Sequence, residues 1–395
     1  MNILFFHTNG IVPTAGGISR TTHNLVNLFR KNGHVVWIIG AKNIDPNAIY
    51  DERQLFLPAS GQVNNEANRA FMKDTIVSNN IDIIINQAAF TPQAVSLLSS
   101  CREYGGVKLI SCYHNSILTP VYYYAYQKEY QLRKYGMGFL FWLLKLKPIN
   151  RLLVQLNIAK YRKKYKTTAQ NCDKVVLLCE GQLAEWERMS GMSSNGRIAV
   201  IPNYTPSFEI NDSTGKKEMV LWVGTFDYAI KRPDLMLRIW GKIEDKHPSW
   251  SLFMLGDGPS FSEMKMLAQK LKLKRVVFTG RVIPSIYYEQ AQIQCVTSVH
   301  ESFSLVSVEA MQCGNPVIAF NSYTAAPYII TEKGNGFLVK PFDTALYAEQ
   351  LSLLMENDEL RVKMGRFARE SVERFSEENV YRLWVRLFDD IKYSK

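Results

Sequence analysis

Apolar, β-rich runs recur along this chain at helix-length intervals, and they do so twice. In the first half, residues 2–8, 34–39, 81–85, 107–112, 174–178 and 197–201 read as strands. These runs are nearly continuous in apolar residues and do not alternate, which is the pattern of strands covered on both faces in a parallel, doubly wound sheet. Between 202 and 218 (PNYTPSFEINDSTGKKE) the apolar periodicity lapses into Pro, Asn, Ser, Thr and charge, so 204–218 reads as a linker. The alternation then restarts at 219–223, 250–255, 275–279, 293–297, 316–320 and 337–339. The expected architecture is α/β, with Rossmann-like domains at 1–203 and 219–374. A terminal segment, 375–395, carries a Trp384, Leu387, Ile391 stripe suited to packing back on the first domain. A length of 395 residues fits two such domains better than one.

The six cysteines are scattered without a CxxC pair or a Cys/His cluster, which points away from a disulfide framework or a zinc site and towards a reducing compartment. The amino terminus lacks the basic region of a signal peptide, and the longest apolar stretch, 136–144 (GMGFLFWLL), is far short of the roughly 20 residues of a spanning helix. A cytoplasmic location is expected. The net charge of +11 has an address: 121–166 holds eleven Lys/Arg against the single acid Glu129, among eleven aromatic residues. Within it Ile149, Leu152, Leu153 and Leu156 recur at helical spacing ahead of Lys160, Arg162, Lys163 and Lys164. Aromatic rings and cations together suit the headgroup boundary of an anionic membrane, so peripheral association through 121–166 with the inner membrane face is expected. The alternative is a stripe packed on the sheet with merely solvated lysines. Nucleic-acid binding is not expected, because no binding motif accompanies the charge.

Several constellations could carry chemistry. Gly16-Gly17 follows the first strand and precedes a helix, where the backbone can approach a ligand and amide groups can meet an anion; a turn needing positive φ would look the same. No GxGxxG is present, which argues against a dinucleotide enzyme. His114 ends a strand-like run at the sheet's carboxyl edge, with His7 as a competing candidate. Gly224 and Thr225 lead to Lys231-Arg232-Pro233-Asp234, two cations at a helix start, a conflict with the helix dipole that a bound phosphate would resolve. In Glu301-Ser-Phe303-Ser304-Leu305-x3-Glu309, Ser302 or Ser304 can cap a helix that Gly314 ends. The carboxylates can accept from vicinal hydroxyls while amides near Phe303 to Leu305 meet a diphosphate.

Taken in order, Gly16-Gly17, His114, Gly224 with Lys231, Gly256-Asp-Gly-Pro259, Thr279-Gly-Arg281-Val282, and Glu301-x7-Glu309 followed by Gly314-x-Pro316 resemble the family 4 retaining glycosyltransferases of GT-B fold. The resemblance implies two Rossmann-like domains facing a cleft. It implies Glu309 on the ribose hydroxyls, Glu301 on the donor sugar, Lys231 on the diphosphate, Arg281-Val282 beside the base, His114 facing the donor sugar and Gly16-Gly17 closing over the diphosphate. The family's usual Arg after the first glycine is Thr225 here, so either Arg232 supplies the second cation or one phosphate charge stays unmatched. The glycine common in the Glu-x7-Glu loop is Ser304.

The implied reaction transfers a hexose or N-acetylhexosamine from a nucleotide-diphosphate sugar, a UDP-sugar by family habit, to a saccharide acceptor, a lipid-linked one in cell-surface polysaccharide assembly. Retention follows from the resemblance alone. No cofactor and no metal are expected, since no DxD-type pair stands in a suitable loop and Lys231 with the helix start can meet the leaving charge. A sugar-nucleotide epimerase or phosphorylase, or a silent sugar-nucleotide-binding subunit, would share the architecture.

Overall fold

The computed structural model describes all residues except 14–15, 46, 60, 195, 208–214 and 394–395. Residues 208–214 of the expected linker therefore lie outside the described residues. The chain divides into two compact units, one formed by Met1–Asn115, Ile158–Pro206 and Phe375–Lys395, the other by Ser116–Asn157 and Ser207–Arg374.

The first unit holds strands β1 (Asn2–His7), β2 (Val35–Gly40), β3 (Gln54–Phe56), β4 (Ile83–Asn86), β5 (Lys108–Cys112), β6 (Lys174–Leu177) and β7 (Ile198–Val200), ordered 3-2-1-4-5-6-7. The second holds β8 (Met219–Val223), β9 (Ser251–Leu255), β10 (Val276–Gly280), β11 (Ile293–Val296), β12 (Val317–Phe320) and β13 (Gly336–Val339), ordered 10-9-8-11-12-13. Every pairing is parallel. Each sheet reverses its winding once, between β1 and β4 and between β8 and β11, and open α/β sheets bind ligands at the carboxyl edge of such a reversal.

Central strands are buried on both faces, as the continuous apolar runs require. In the first unit Ile3, Phe5, Ile85 and Ile110 meet Leu25 and Phe29 of the helix Gly17–Lys31. The helix Glu377–Tyr393 adds Val380, Trp384, Leu387, Phe388 and Ile391 to that core, one stripe of its surface. Trp384 stands edge-on to Phe29 at 5.5 Å and Phe388 does so at the same distance, pairs worth about 0.5–1.5 kcal/mol each beyond their buried area. In the second unit Trp222, Phe226, Trp240, Phe320 and Tyr347 form the centre.

The basic, aromatic insertion divides at a point that no local signal marks. Residues 116–157 cluster with the second unit, whereas 158–166 stay in the first, although the helix Lys147–Gln170 runs unbroken through the boundary. The reason is a set of side chains on the helix Tyr124–Lys134. Tyr126 stacks on Phe342 at 3.7 Å and Tyr130 on Tyr228 at 3.8 Å with rings 7° apart, while the Tyr130 hydroxyl donates to Glu263. The alternative, a stripe from Ile149 to Leu156 packed on the sheet, is not seen for Leu152 and Leu156, which are 58% and 57% exposed.

Candidate functional site

At the end of β8 the chain needs glycine for space as well as for conformation. Gly256 has φ +126° and a Cβ there would run into the Gly224 carbonyl; a Cβ on Gly258 would sit 2.8 Å from the Phe226 nitrogen and oxygen. Their absence lets the loop after β9 lie against the loop after β8, with Gly224 N–H donating to Leu255 O at 3.0 Å and Phe226 N–H to Asp257 O at 3.0 Å. Asp227 then turns the chain: its carboxylate accepts from Ala229 N–H at 2.6 Å and Ile230 N–H at 3.1 Å. This brings Lys231 and Arg232 to the start of the helix Pro233–Trp240.

Lys231 forms a salt bridge with Glu301, and the Ser298 hydroxyl donates to the same carboxylate oxygen at 2.6 Å. The Thr297 hydroxyl lies 3.0 Å from the Lys231 and Arg232 carbonyls and accepts from Trp222 Nε1–H at 2.9 Å. The loops after β8 and β11, far apart in sequence, are thereby fixed to each other, and two residues to which the resemblance gives separate duties share one charge pair.

Arg232 does not play the part left open for it. Its side chain is buried at 4% exposure, donating to both carboxylate oxygens of Asp234 at 2.9 and 3.0 Å and to the Tyr126 carbonyl at 3.3 Å, with Glu129 of the insertion at 3.1 Å. Burial disfavours the guanidinium charge, but Asp234 and Glu129 together hold its pKa above the ordinary value. The conflict of two cations with the helix dipole is thus met by carboxylates, with no phosphate needed at Arg232. Thr225 is exposed, and Arg232 is not the cation that replaces its missing charge.

The helix Leu305–Gln312 follows the loop of Glu301 and Phe303, the latter buried. Neither Ser302 nor Ser304 caps it through a side chain: Ser304 sits at φ +68° and its hydroxyl pairs with that of Ser307 at 2.7 Å. The left-handed backbone explains why glycine suits this place, and Ser304 keeps the shape at a cost of about 1 kcal/mol. Gly314, at φ +70°, follows the helix end as anticipated. Glu309 is buried and accepts from the Tyr288 hydroxyl at 3.0 Å; Val282 packs on the cluster containing Tyr288, while Arg281 is exposed.

In the first unit, Gly16 has φ +141° and Gly17 opens the helix Gly17–Lys31. Added Cβ atoms at either would meet nothing within 4 Å, so neighbouring packing does not demand the pair; conformation demands Gly16. His114, just beyond β5, is buried, with Nε2 on the Gln87 side-chain oxygen. Burial, and secondarily the charge of His7, push its pKa down to about 4, so the imidazole is neutral at pH 7. His7, lowered by burial too, has Nδ1 3.0 Å from the Asn9 carbonyl. The two histidines that compete in the sequence are electrostatic neighbours at one sheet edge. The Gln87 amide nitrogen is buried without a protein partner among the described residues.

Gly16, Gly17 and His114 thus belong to the first unit, and Gly224, Thr225, Lys231, Arg232, Arg281, Val282, Glu301, Phe303, Ser304, Leu305 and Glu309 to the second. Four site residues escaped the sequence reading: Gln87, Asp227, Tyr288 and Ser298. Ser298, three residues before Glu301, was the one a local motif could have shown. Among the described residues no three His, Cys, Asp or Glu side chains gather as a metal-ligand set.

Two family models match the chain in succession, one described as Glycosyltransferase Family 4 over residues 15–205 and one as Glycosyl transferases group 1 over 204–371. An uncharacterized glycosyltransferase of Haemophilus influenzae is 30% identical over 215 residues, 54% of this chain and 60% of the relative. A Campylobacter jejuni α-1,4-N-acetyl-D-galactosaminyltransferase, named for a GalNAc-GalNAc-diNAcBac-PP-undecaprenol, is 23% identical over 226 residues, 56% of this chain and 61% of the relative. The matched stretches span from 23% to 61% of the curated relatives' own lengths. Among solved structures, HepE of Anabaena in complex with UDP and glucose superposes with a TM-score of 0.72 at 16% identity, covering 98% of this chain and 99% of the other. That likeness concerns the fold.

Proposed function

The chain belongs to the family 4 glycosyltransferases, the glycosyl transferases group 1, and from that premise we propose that it transfers a hexose or N-acetylhexosamine from a UDP-sugar to a lipid-linked saccharide, with retention at the anomeric carbon. The observation that carries the reading is the join of Lys231, Glu301 and Ser298 at the carboxyl edge of β8 and β11, beside a helix start and the buried Glu309–Tyr288 pair. A nucleoside diphosphate leaves with negative charge. Lys231 and the amides of Leu305 and Val306, at the first turn of the helix Leu305–Gln312, meet that charge without a metal. Glu309, fixed by Tyr288, holds the ribose hydroxyls, and Glu301 holds those of the sugar. His114, neutral, brings no cation to the carboxyl edge of the first unit's sheet. The HepE complex with UDP supports the choice of base, and the Campylobacter relative's name supports the class of acceptor.

The insertion supports a membrane-borne acceptor. Phe139 and Trp142 are 69% and 64% exposed, and Leu143, Leu146, Leu152 and Leu156 are exposed too, interspersed with Lys145, Lys147 and Arg151. Such a patch buries favourably at a headgroup boundary. Lys164, counted in the sequence among the surface cations, instead stands 3.0 Å over the Phe90 ring, and burial pushes its pKa down to about 8. Among the described residues no helix is long and apolar enough to cross a membrane. We place the protein peripherally, on the cytoplasmic face.

A nucleotide-release screen of UDP-sugars against lipid-linked saccharides tests the reading. Lys231→Ala and Glu309→Ala are expected to lower turnover at least about 100-fold in folded protein. Near-normal turnover in both would overturn it. The sequestered Arg232 beside Thr225 favours one rival, sugar-nucleotide binding without transfer. Calorimetric donor binding with no release on any acceptor would select that rival.

A further inference from the structure

The insertion lines an open hollow of ≈ 440 Å³ that the donor site does not use, and Tyr122, Tyr123, Tyr126, Lys145, Lys147 and Arg151 form most of its wall. All belong to the second unit. No carboxylate lines it. The insertion's single acid, Glu129, is committed elsewhere, to Arg133 at 3.0 Å and to Arg232 at 3.1 Å. Lys145, Lys147 and Arg151 form no ion pair among the described residues, so three like charges share one hollow without a counter-charge from the protein. Lys145 is held in place by rings, its Nζ 5.0 Å from the centroid of Tyr126, 5.1 Å from Phe141 and 4.9 Å from Trp142. Asn150 donates to the Tyr122 carbonyl at 2.9 Å and ties the two sides of the wall together.

We propose that this hollow is a binding site for a lipid-borne diphosphate. Three uncompensated cations match a diphosphate better than the single charge of a phosphodiester headgroup. The surroundings specify the remainder of the ligand: Leu144 completes the wall and exposed Leu143 and Leu146 flank it, apolar surface with which a free inorganic anion would make no contact and an attached lipid chain would. Naming the lipid as the acceptor's carrier rests on the transferase reading above; the affinity itself does not.

Flotation of the full chain with three kinds of vesicle tests the site: phosphatidylcholine alone, phosphatidylcholine with a polyprenyl diphosphate, and phosphatidylcholine with phosphatidylglycerol at equal total charge. The expected result is binding to the diphosphate vesicles tighter than to the phosphatidylglycerol vesicles by about tenfold or more. Lys145→Gln, Lys147→Gln and Arg151→Gln combined should erase that preference while leaving nucleotide release onto a soluble acceptor unchanged. Phe139→Ser with Leu152→Ser, two exposed side chains outside the hollow, should weaken binding to every vesicle alike. Equal binding to the two anionic vesicles, or an undiminished preference in the triple variant, overturns the site. Saturable binding of soluble pyrophosphate without any lipid preference overturns the lipid assignment. If folded protein turns over no donor, the transferase reading fails and the vesicle preference still decides the hollow.

Discussion

Lowering the pH from 8 to 5 should destabilise the first unit through His114. Its pKa falls from 6.5 to about 4 in the fold, mainly by burial. The sign follows from which state takes the proton: below 6.5 the unfolded imidazole protonates and the folded one does not, so stability is full above 6.5 and is lost as the pH falls towards 4. The complete shift of about 2.5 units corresponds to about 3 kcal/mol, and the part realised between pH 8 and pH 5 is about 2 kcal/mol. His7 is shifted in the same direction by burial, so the wild-type loss contains its share as well. Comparison with His114→Gln, which keeps a side-chain amide near Gln87 but cannot titrate, isolates the His114 share. Urea unfolding at pH 8, 7, 6 and 5, followed by near-ultraviolet signal from the buried Trp186 and Trp384 of the first unit, should show a wild-type stability falling about 2 kcal/mol more than that of the variant. Parallel curves would refute a neutral, buried His114.

In the second unit, Gly256→Ala should cost at least about 2 kcal/mol, by forcing a Cβ into the Gly224 carbonyl at positive φ, and should raise the donor KM; Gly105→Ala, in the first unit at φ +62° in open space, serves as the calorimetric control and should cost about 1 kcal/mol. Glu129→Ala removes one of two carboxylates from a buried guanidinium and should destabilise the second unit by about 2 kcal/mol in chemical denaturation, with Glu129→Gln recovering part of the loss.

Strand positions were legible wherever both faces are buried, because burial on both sides imposes an uninterrupted apolar run: Met219–Val223 was read to the residue. Strand β3 was missed, since an edge strand of three residues with two apolar members leaves no run to find. Lys231, Glu301 and Glu309 were legible as candidates because the family motif marks them; the helix start after Arg232 was legible from Pro233, and the end of the helix bearing Glu309 from Gly314. The bond between Lys231 and Glu301 was not, because seventy residues separate them and only the parallel pairing of β8 with β11 makes them neighbours. The fate of Arg232 was half legible: Asp234 stands two residues on, but Glu129 lies in a segment that local patterning attaches to the first domain. The rings that decide otherwise, Tyr228 and Phe342, lie about a hundred and two hundred residues from Tyr130 and Tyr126.

That a stretch threaded between β5 and β6 is folded into the second unit has a consequence for anyone who wishes to recombine such proteins. A cut in the linker looks like the natural seam between a donor half and an acceptor half. Here a graft of residues 204–374 alone would leave Glu129, Tyr126 and Tyr130 behind. It would unroof Phe342 and Tyr228 and take one counter-ion from Arg232, the residue that adjoins Lys231. A transplantable second unit of this protein is a discontinuous one, and moving it intact means carrying 116–157 along.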